Sequence, residues 1–234
     1  MRYFGLAILM ICLGACASKP KPKLSSEQAI SALKAQSAQI KTVMGTIHIV
    51  IHSKEGSISF PAEVAVDRTV MEKPQLRLAA EGPMGVTYAL LVLNASRVLT
   101  WVDFDKHVKS KIEREWQGLP LEELPDLLLG IAPLRENWKT VSNNQDAFEV
   151  ESDFGRIAYG LKWFEDGGKP VVSDLKSERY EVKFKDHFGA REYYLPREIE
   201  IRGKDGLYVR VNWRERKWNE KIPAAAFSVP QTDF

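Results

Sequence analysis

Cysteine is nearly absent from this chain: of 234 residues only Cys12 and Cys16 are cysteine, and both lie near the N-terminus. Histidine is scarce as well, with four residues. No sign of charge dominates, since 33 Lys and Arg face 31 Asp and Glu. A balance so close to neutral gives no electrostatic footprint for a nucleic-acid partner, and none is expected. No apolar run reaches the roughly 20 residues that a membrane-spanning helix needs. The G-x-S-x-G elbow, the P-loop and the dinucleotide fingerprint are all missing, which removes the common routes to hydrolase, nucleotide and nicotinamide chemistry. No cofactor is expected.

What is present begins with Arg2, an apolar stretch from Phe4 to Leu13, and then Gly14, Ala15 and Cys16. Charge, a short apolar core and small residues before a cut form the layout of a secretory signal. Leu13-Gly14-Ala15-Cys16 is similar to the bacterial lipobox, in which the cysteine is acylated and becomes the new N-terminus. The expected organisation is therefore a cleaved signal peptide over 1–15, a lipidated N-terminus and linker over 16–25, and one domain over 26–234. Cys12 leaves with the signal, so an exported domain of this kind has no disulfide and depends on its core. Arg2 is the one charged residue lost, so the formal net charge of +2 falls to +1. A single acyl chain holds a protein only marginally, whereas two or more make a durable anchor. The Lys-Pro alternation from Lys19 to Lys23 reads as an extended tether. Ala17 and Ser18 carry no aspartate that would signal inner-membrane retention, so the expected location is the outer membrane, facing the periplasm.

Ser25 or Ser26 followed by Glu27 and Gln28 predicts a helix start. Ile30, Leu33 and Ile40 then extend that helix from about 26 to 42. Strand alternation follows. Ile47, Ile49 and Ile51 alternate with polar neighbours, Lys54-Glu55-Gly56 makes a turn, and Ile58, Phe60, Ala62, Val64 and Val66 resume the pattern as a long antiparallel hairpin. Further alternation runs through Leu76–Ala80, Val98–Val102 and Val108–Ile112. Tyr88 to Leu93 is apolar on both faces and predicts a strand covered on both sides. Leu119 to Gly130 reads as a short helix ending at a glycine. Strands return at Phe148–Val150, Ile157–Trp163, Tyr180–Phe184, Leu195–Ile201 and Leu207–Trp213. The fold class is α+β and mainly antiparallel β: a meandering sheet of roughly ten strands, with two helices on one face and strong twist.

Candidate chemistry is thin. His48 and His52 lie four apart on the polar side of one strand, a poor spacing for a metal pair, and no third ligand is evident. Asp103, Asp105 and His107 would share a face of an extended strand, as acid–base work needs, but they stand where a solvated hairpin tip is expected. An enzyme acting on envelope polymers would have to use Asp103 or Asp105. Non-catalytic function is the expectation, and no metal site is assigned. Pro83, Met84 and Gly85 form a tight turn with a large apolar residue at its tip. Leaving that side chain in water forfeits roughly 1.5–3 kcal/mol, so it either folds back or meets lipid or a partner.

Gly82-Pro83-Met84-Gly85-Val86-Thr87 resembles the Pro-Leu-Gly loop of the LolB family of outer-membrane lipoprotein receptors. Gly118-Leu119-Pro120-Leu121-Glu122-Glu123-Leu124, with Leu128-Leu129-Gly130, is similar to that family's G-x-P-x-x-x-L helix ending in Leu-Gly. Leu195-Pro196-Arg197-Glu198-Ile199, Trp213, Asn219 and Phe227 resemble the late strands shared with the related carrier LolA. The resemblance spans about 26 to 230. Leu127-Leu128 stands where that family usually shows a tryptophan, and the stretch from 165 to 190 is longer or more charged. The resemblance implies a strongly curved open sheet, or half β-barrel, capped by helices that enclose acyl chains. It implies an outer-membrane receptor that takes lipoproteins from a periplasmic LolA-like carrier, works as a monomer and touches the membrane through Pro83, Met84 and Gly85. The candidate lining of the acyl cavity is Ile49, Phe60, Val64, Leu78, Leu91, Leu128, Trp163 and Trp213. A structural or assembly lipoprotein with the same sheet and no transfer activity is the alternative.

Overall fold

The computed structural model describes residues 24–69, 74–82, 86–94, 97–102, 108–112, 115–116, 119–135, 137–144, 146–152, 155–164, 168–190, 193–203 and 206–228. The expected signal peptide, Cys16 and all but the end of the linker lie outside the described residues. So do Pro83, Met84 and Gly85 of the expected membrane-contact loop, and the trio Asp103, Asp105 and His107.

The first element, α1 (Ser26–Gln39), starts where the sequence predicts because Ser25 caps it. The Ser25 hydroxyl accepts from the Gln28 N–H at 3.3 Å, and the Gln28 side-chain oxygen accepts from the Ser25 N–H at 2.8 Å. This reciprocal pair satisfies two donors that a helix start otherwise leaves open. Ser25→Ala is expected to lower stability by about 1 kcal/mol, read from urea melting; a change within a few tenths would mean that the cap does not hold α1. The helix stops three residues short of the predicted end, because Thr42 already belongs to β1.

The strand β1 (Thr42–Ser53) turns at Lys54-Glu55 into β2 (Gly56–Asp67), with Ile47 opposite Ala62 and Ile49 opposite Phe60. Next come β3 (Gln75–Glu81), β4 (Thr87–Asn94), β5 (Arg97–Val102) and β6 (Val108–Ile112), each paired to the one before. The chain then makes a small ribbon of β7 (Glu115–Trp116) and β8 (Leu119–Pro120), followed by the helix α2 (Leu124–Leu129). The predicted helix from Leu119 is thus shorter, because Leu119 and Pro120 pair with Trp116 and Glu115 instead. A second meander follows: β9 (Lys139–Asn143), β10 (Ala147–Ser152), β11 (Gly155–Phe164), β12 (Lys169–Ser177), β13 (Glu181–Ala190), β14 (Tyr193–Arg202) and β15 (Tyr208–Trp218).

Described residues of both meanders join in one antiparallel sheet of thirteen strands, ordered β6-β5-β4-β3-β2-β1-β15-β14-β13-β12-β11-β10-β9. The sheet is open: β6 and β9 stand at opposite edges. Its seam is β1 against β15, with Ile49 opposite Val211 and an irregularity between Thr46 and Ile47.

One face, the inner one, carries the main apolar cluster. Ile47, Ile49, Val64, Val66, Leu76, Leu93, Ile199 and Val211 are buried there, together with Ala29 and Leu33 of α1 and every leucine of α2. The helical cover is small, fourteen residues in α1 and six in α2. On the outer face a separate cluster of Ala79, Leu90 and Val92 packs against Leu99 and against Phe227 of a 3-10 turn (Ala224–Phe227). The β4 strand is therefore covered on both sides over Leu90 to Leu93, as its unbroken apolar run predicts.

Candidate functional site

The eight residues singled out as cavity lining share the inner face. Ile49, Val64, Leu128 and Trp213 are members of the main cluster, and Phe60, Leu78, Leu91 and Trp163 are half-buried against it. They come from β1, β2, β3, β4, α2, β11 and β15, brought together because alternation along each strand sends one set of side chains to this face. Trp213 also donates its indole N–H to the Leu128 carbonyl at 2.8 Å, which fastens α2 to the seam.

The exit from α2 is equally constrained. Gly130 sits at φ +77°, and a Cβ there would lie 2.1 Å from the Pro196 side chain. Both the left-handed backbone and the close approach call for glycine at this position.

The two helices are tied to each other by one buried arginine. Arg68, just past β2, donates through Nη1 to the carbonyls of Ser37 and Ile40, both at 2.8 Å, and through Nη2 to the Ser37 hydroxyl at 2.8 Å. Its Nε faces Asp126 Oδ1 of α2 at 2.6 Å, and the two side chains are only 2% and 4% exposed. Arg68 thus closes the C-terminal end of α1, where carbonyls lack helical partners, and pairs with the one acid inside α2. Arg135 stands 3.8 Å from the other Asp126 oxygen.

Beside this link lies a second buried acid. Glu123, which immediately precedes α2, is fully buried. Its Oε2 accepts from the Tyr180 hydroxyl at 2.5 Å, while Oε1 has no hydrogen-bond partner among the described residues. Burial pushes its carboxyl up to about 7; the Tyr180 hydrogen bond and Arg135 oppose the shift, and Glu122 and Asp126 add to it. Tyr159, whose hydroxyl donates to the Pro133 carbonyl at 3.2 Å, and Tyr180 are both raised, first by burial and then by Glu123. Sequence pattern alone does not single out Arg68, Glu123 or Tyr180. A signal does exist for Asp126, a lone acid within Leu-Pro-Asp-Leu-Leu-Leu.

A cavity of about 40 Å³ lies between α1, the exit of α2 and strands β12 to β14; its wall includes Leu33, Ser37, Ile131, Val172, His187 and Tyr194. None of the eight predicted lining residues borders it. Its volume is far below the roughly 300–1,000 Å³ of a small-molecule site.

At one end of the sheet, apolar side chains reach solvent. Ile58 is 57% exposed at the β1–β2 turn, and Val86 58% and Tyr88 37% beside the loop that holds Met84. An irregularity between Ala80 and Glu81 shifts the β3–β4 register, and the Tyr88 ring meets Phe60 edge to face at 6.4 Å. Such a shift re-aims a side chain. His48 bonds Ser59 and His52 stacks on Tyr208; among the described residues no group of three or more His, Cys, Asp or Glu is placed to hold a metal.

No family model and no curated protein matches the sequence. Solved structures do match the fold. A domain from Vibrio parahaemolyticus assigned to outer membrane lipoprotein sorting is similar over 86% of this chain and 97% of its own, with 10% identity and a TM-score of 0.59. A DUF1329 family protein from Desulfovibrio piger covers 90% of this chain and 98% of its own at 6% identity, with a TM-score of 0.62. A LolA superfamily protein from Nitrosomonas europaea covers 88% and 98% at 9% identity, with a TM-score of 0.52. The open antiparallel sheet described above is therefore the fold that this chain has in common with these three proteins, one of which belongs to the LolA superfamily.

Proposed function

We propose that this protein binds acyl chains on the inner face of its sheet, beneath α1 and α2, and receives lipoproteins for insertion into the outer membrane. One observation carries the reading: a broad apolar sheet face is covered by two short helices rather than by a second sheet, and the two helices are joined through Arg68. That cover is a separable part. Exposing the four leucines of α2 to water would cost about 6–12 kcal/mol, so the cover stays closed in the absence of a replacement. A tail of about fourteen CH₂ groups, at about 0.8 kcal/mol each, offers a comparable gain. Opening is thus coupled to occupancy, and hand-off to or from a membrane needs no nucleotide.

The remaining parts fit the same task, which is binding and delivery without a catalytic step. Lipid on Cys16 holds the protein to the outer membrane, facing the periplasm, and a LolA-like carrier supplies the cargo to a monomeric receptor. Ile58, Val86 and Tyr88 extend the apolar character of the Met84 loop, as a lipid-facing rim would. The fold shared with the lipoprotein-sorting domain from Vibrio parahaemolyticus is consistent with this role.

The test uses the full chain carrying Cys16→Ala, which cannot be acylated, and a fluorophore bearing an acyl chain. Saturable uptake in the micromolar range is expected. Met84→Glu should keep that uptake while abolishing delivery of a lipoprotein to vesicles. The small cavity favours a second reading, a scaffold lipoprotein with a permanently filled core. That protein takes up no dye, and such a result ends the receptor reading.

A further inference from the structure

Arg68 is buried just past β2 and Arg216 is half-buried on β15, and their guanidinium groups differ in one respect. Arg68 has each guanidinium nitrogen engaged, including an ion pair to Asp126. Among the described residues Arg216 on β15 has a single acceptor, the Pro196 carbonyl, which Nη2 meets in a short contact. Its Nε and Nη1 are buried and have no hydrogen-bond partner among the described residues. No carboxylate among the described residues pairs with it. Its guanidinium lies instead over aromatic faces, 4.3 Å from the Trp213 ring centre, 5.6 Å from that of Trp218 and 5.7 Å from that of Phe188.

A buried cation without a counter-ion is unfavourable, because desolvation is not offset by an opposite charge. Burial alone pushes this guanidinium down to about 9, so it is still charged at neutral pH. Aromatic faces attract the cation but leave its in-plane N–H groups free to donate. Its position is significant as well. Trp213, the nearest ring, is bonded to the Leu128 carbonyl of α2. The Pro196 that accepts from Arg216 follows Leu195 in the cavity wall. His187, also in that wall, is held down to about 4, mainly by its own burial and further by the charges of Lys162 and Arg216.

We propose that Arg216 is the anchoring point for the anionic head of an amphiphile, a carboxylate or phosphate, whose hydrocarbon tail lies under α2. The anion completes the two open donors of the guanidinium, and the tail takes the apolar surface next to Trp213. Charge-assisted hydrogen bonds of this kind are about twice as strong as neutral ones. The aromatic bed holds the guanidinium in place before the ligand arrives. This inference rests on the acyl-binding reading above and adds to it a preference for charge at the head.

The experiment measures binding by tryptophan fluorescence to the full chain carrying Cys16→Ala. The probes are palmitate, monopalmitoylglycerol as a neutral head on the same tail, and inorganic phosphate alone. Palmitate is expected to bind at least about tenfold more tightly than monopalmitoylglycerol. Arg216→Met should bring palmitate down to the affinity of the neutral probe, and Arg216→Lys should retain part of the preference. Without ligand, Arg216→Met is expected to hold or raise the melting temperature, because it removes an uncompensated buried charge; a clear fall would mark a structural arginine and overturn the proposal. Inorganic phosphate binding as tightly as palmitate would assign a free-anion site and overturn it too. Equal binding of the two palmitoyl probes sinks this inference alone, whereas failure to bind either sinks the acyl-binding reading with it.

Discussion

Arg68→Met is expected to lower the stability of the folded protein by about 3–5 kcal/mol, the usual effect of removing one member of a buried ion pair. Asp126 would lose its nearest cation at 4% exposure, with Arg135 at 3.8 Å the remaining one, and the Ile40 carbonyl would lose the Arg68 donor. Urea unfolding of the purified protein measures it. The companion variant, Arg68→Met with Asp126→Leu, replaces both charges by apolar groups and should recover most of the loss. Recovery would show that the penalty comes from the stranded acid rather than from lost packing. A single-variant loss under about 1 kcal/mol would mean that the link between α1 and α2 contributes little. In the acyl-dye assay, Arg68→Met should also speed association, because a looser cover opens more often.

Glu123→Gln is expected to stabilise the protein at neutral and alkaline pH by on the order of 3 kcal/mol, since each tenfold difference in proton affinity between the folded and unfolded chain is worth about 1.4 kcal/mol. The folded-state carboxyl sits at about 7, raised chiefly by burial, against an ordinary 4.5. Below about pH 4.5 the group is neutral in both states and has no effect on stability. Between about 4.5 and 7 the unfolded chain releases the proton while the folded one keeps it, so the native protein loses stability as pH rises. Above about 7 the full penalty is in force. Glutamine stays neutral throughout, accepts the Tyr180 hydrogen bond through its amide oxygen, and removes this part of the slope. Stability curves from about pH 4 to 9 test it; parallel native and variant curves would contradict the assignment. Because Glu123 leads directly into α2, the same titration loosens the cover at alkaline pH.

The sequence discloses this fold wherever burial is one-sided. Ile47, Ile49 and Ile51 alternate because one face of β1 meets the core, and the Ser25–Gln28 pair announces α1 by local chemistry alone. The strands that pattern does not reveal are those where that rule lapses. The β9 strand is an edge whose five residues are all exposed, so no alternation marks it. In β12, Pro170, Val171 and Val172 are all buried, and a register irregularity opposite Gly160 and Leu161 breaks the period. The start of α2 is obscured because Leu119 and Pro120 carry helix-like apolar spacing yet pair as strand. The site itself is harder to read. Seven of the eight inner-face residues lie on strands and the eighth, Leu128, on α2, but Arg68 meets Asp126, Glu123 meets Tyr180 and Arg216 meets Trp213 through packing that spacing along the chain does not encode.

The seam has a consequence for how the molecule is assembled. Each meander joins neighbours in the chain and can form from local contacts, but Val43 must find Trp218, and Ile49 must find Val211, across nearly the full described length. Loop closure on that scale is expected to make the β1–β15 pairing the slow step of folding, which stopped-flow refolding of the protein would test. Until it is made, the inner leucines and isoleucines of both halves stand open. A chain that folds in this order completes its inner apolar face, with Trp213 and Arg216 in place, only after β15 has reached β1.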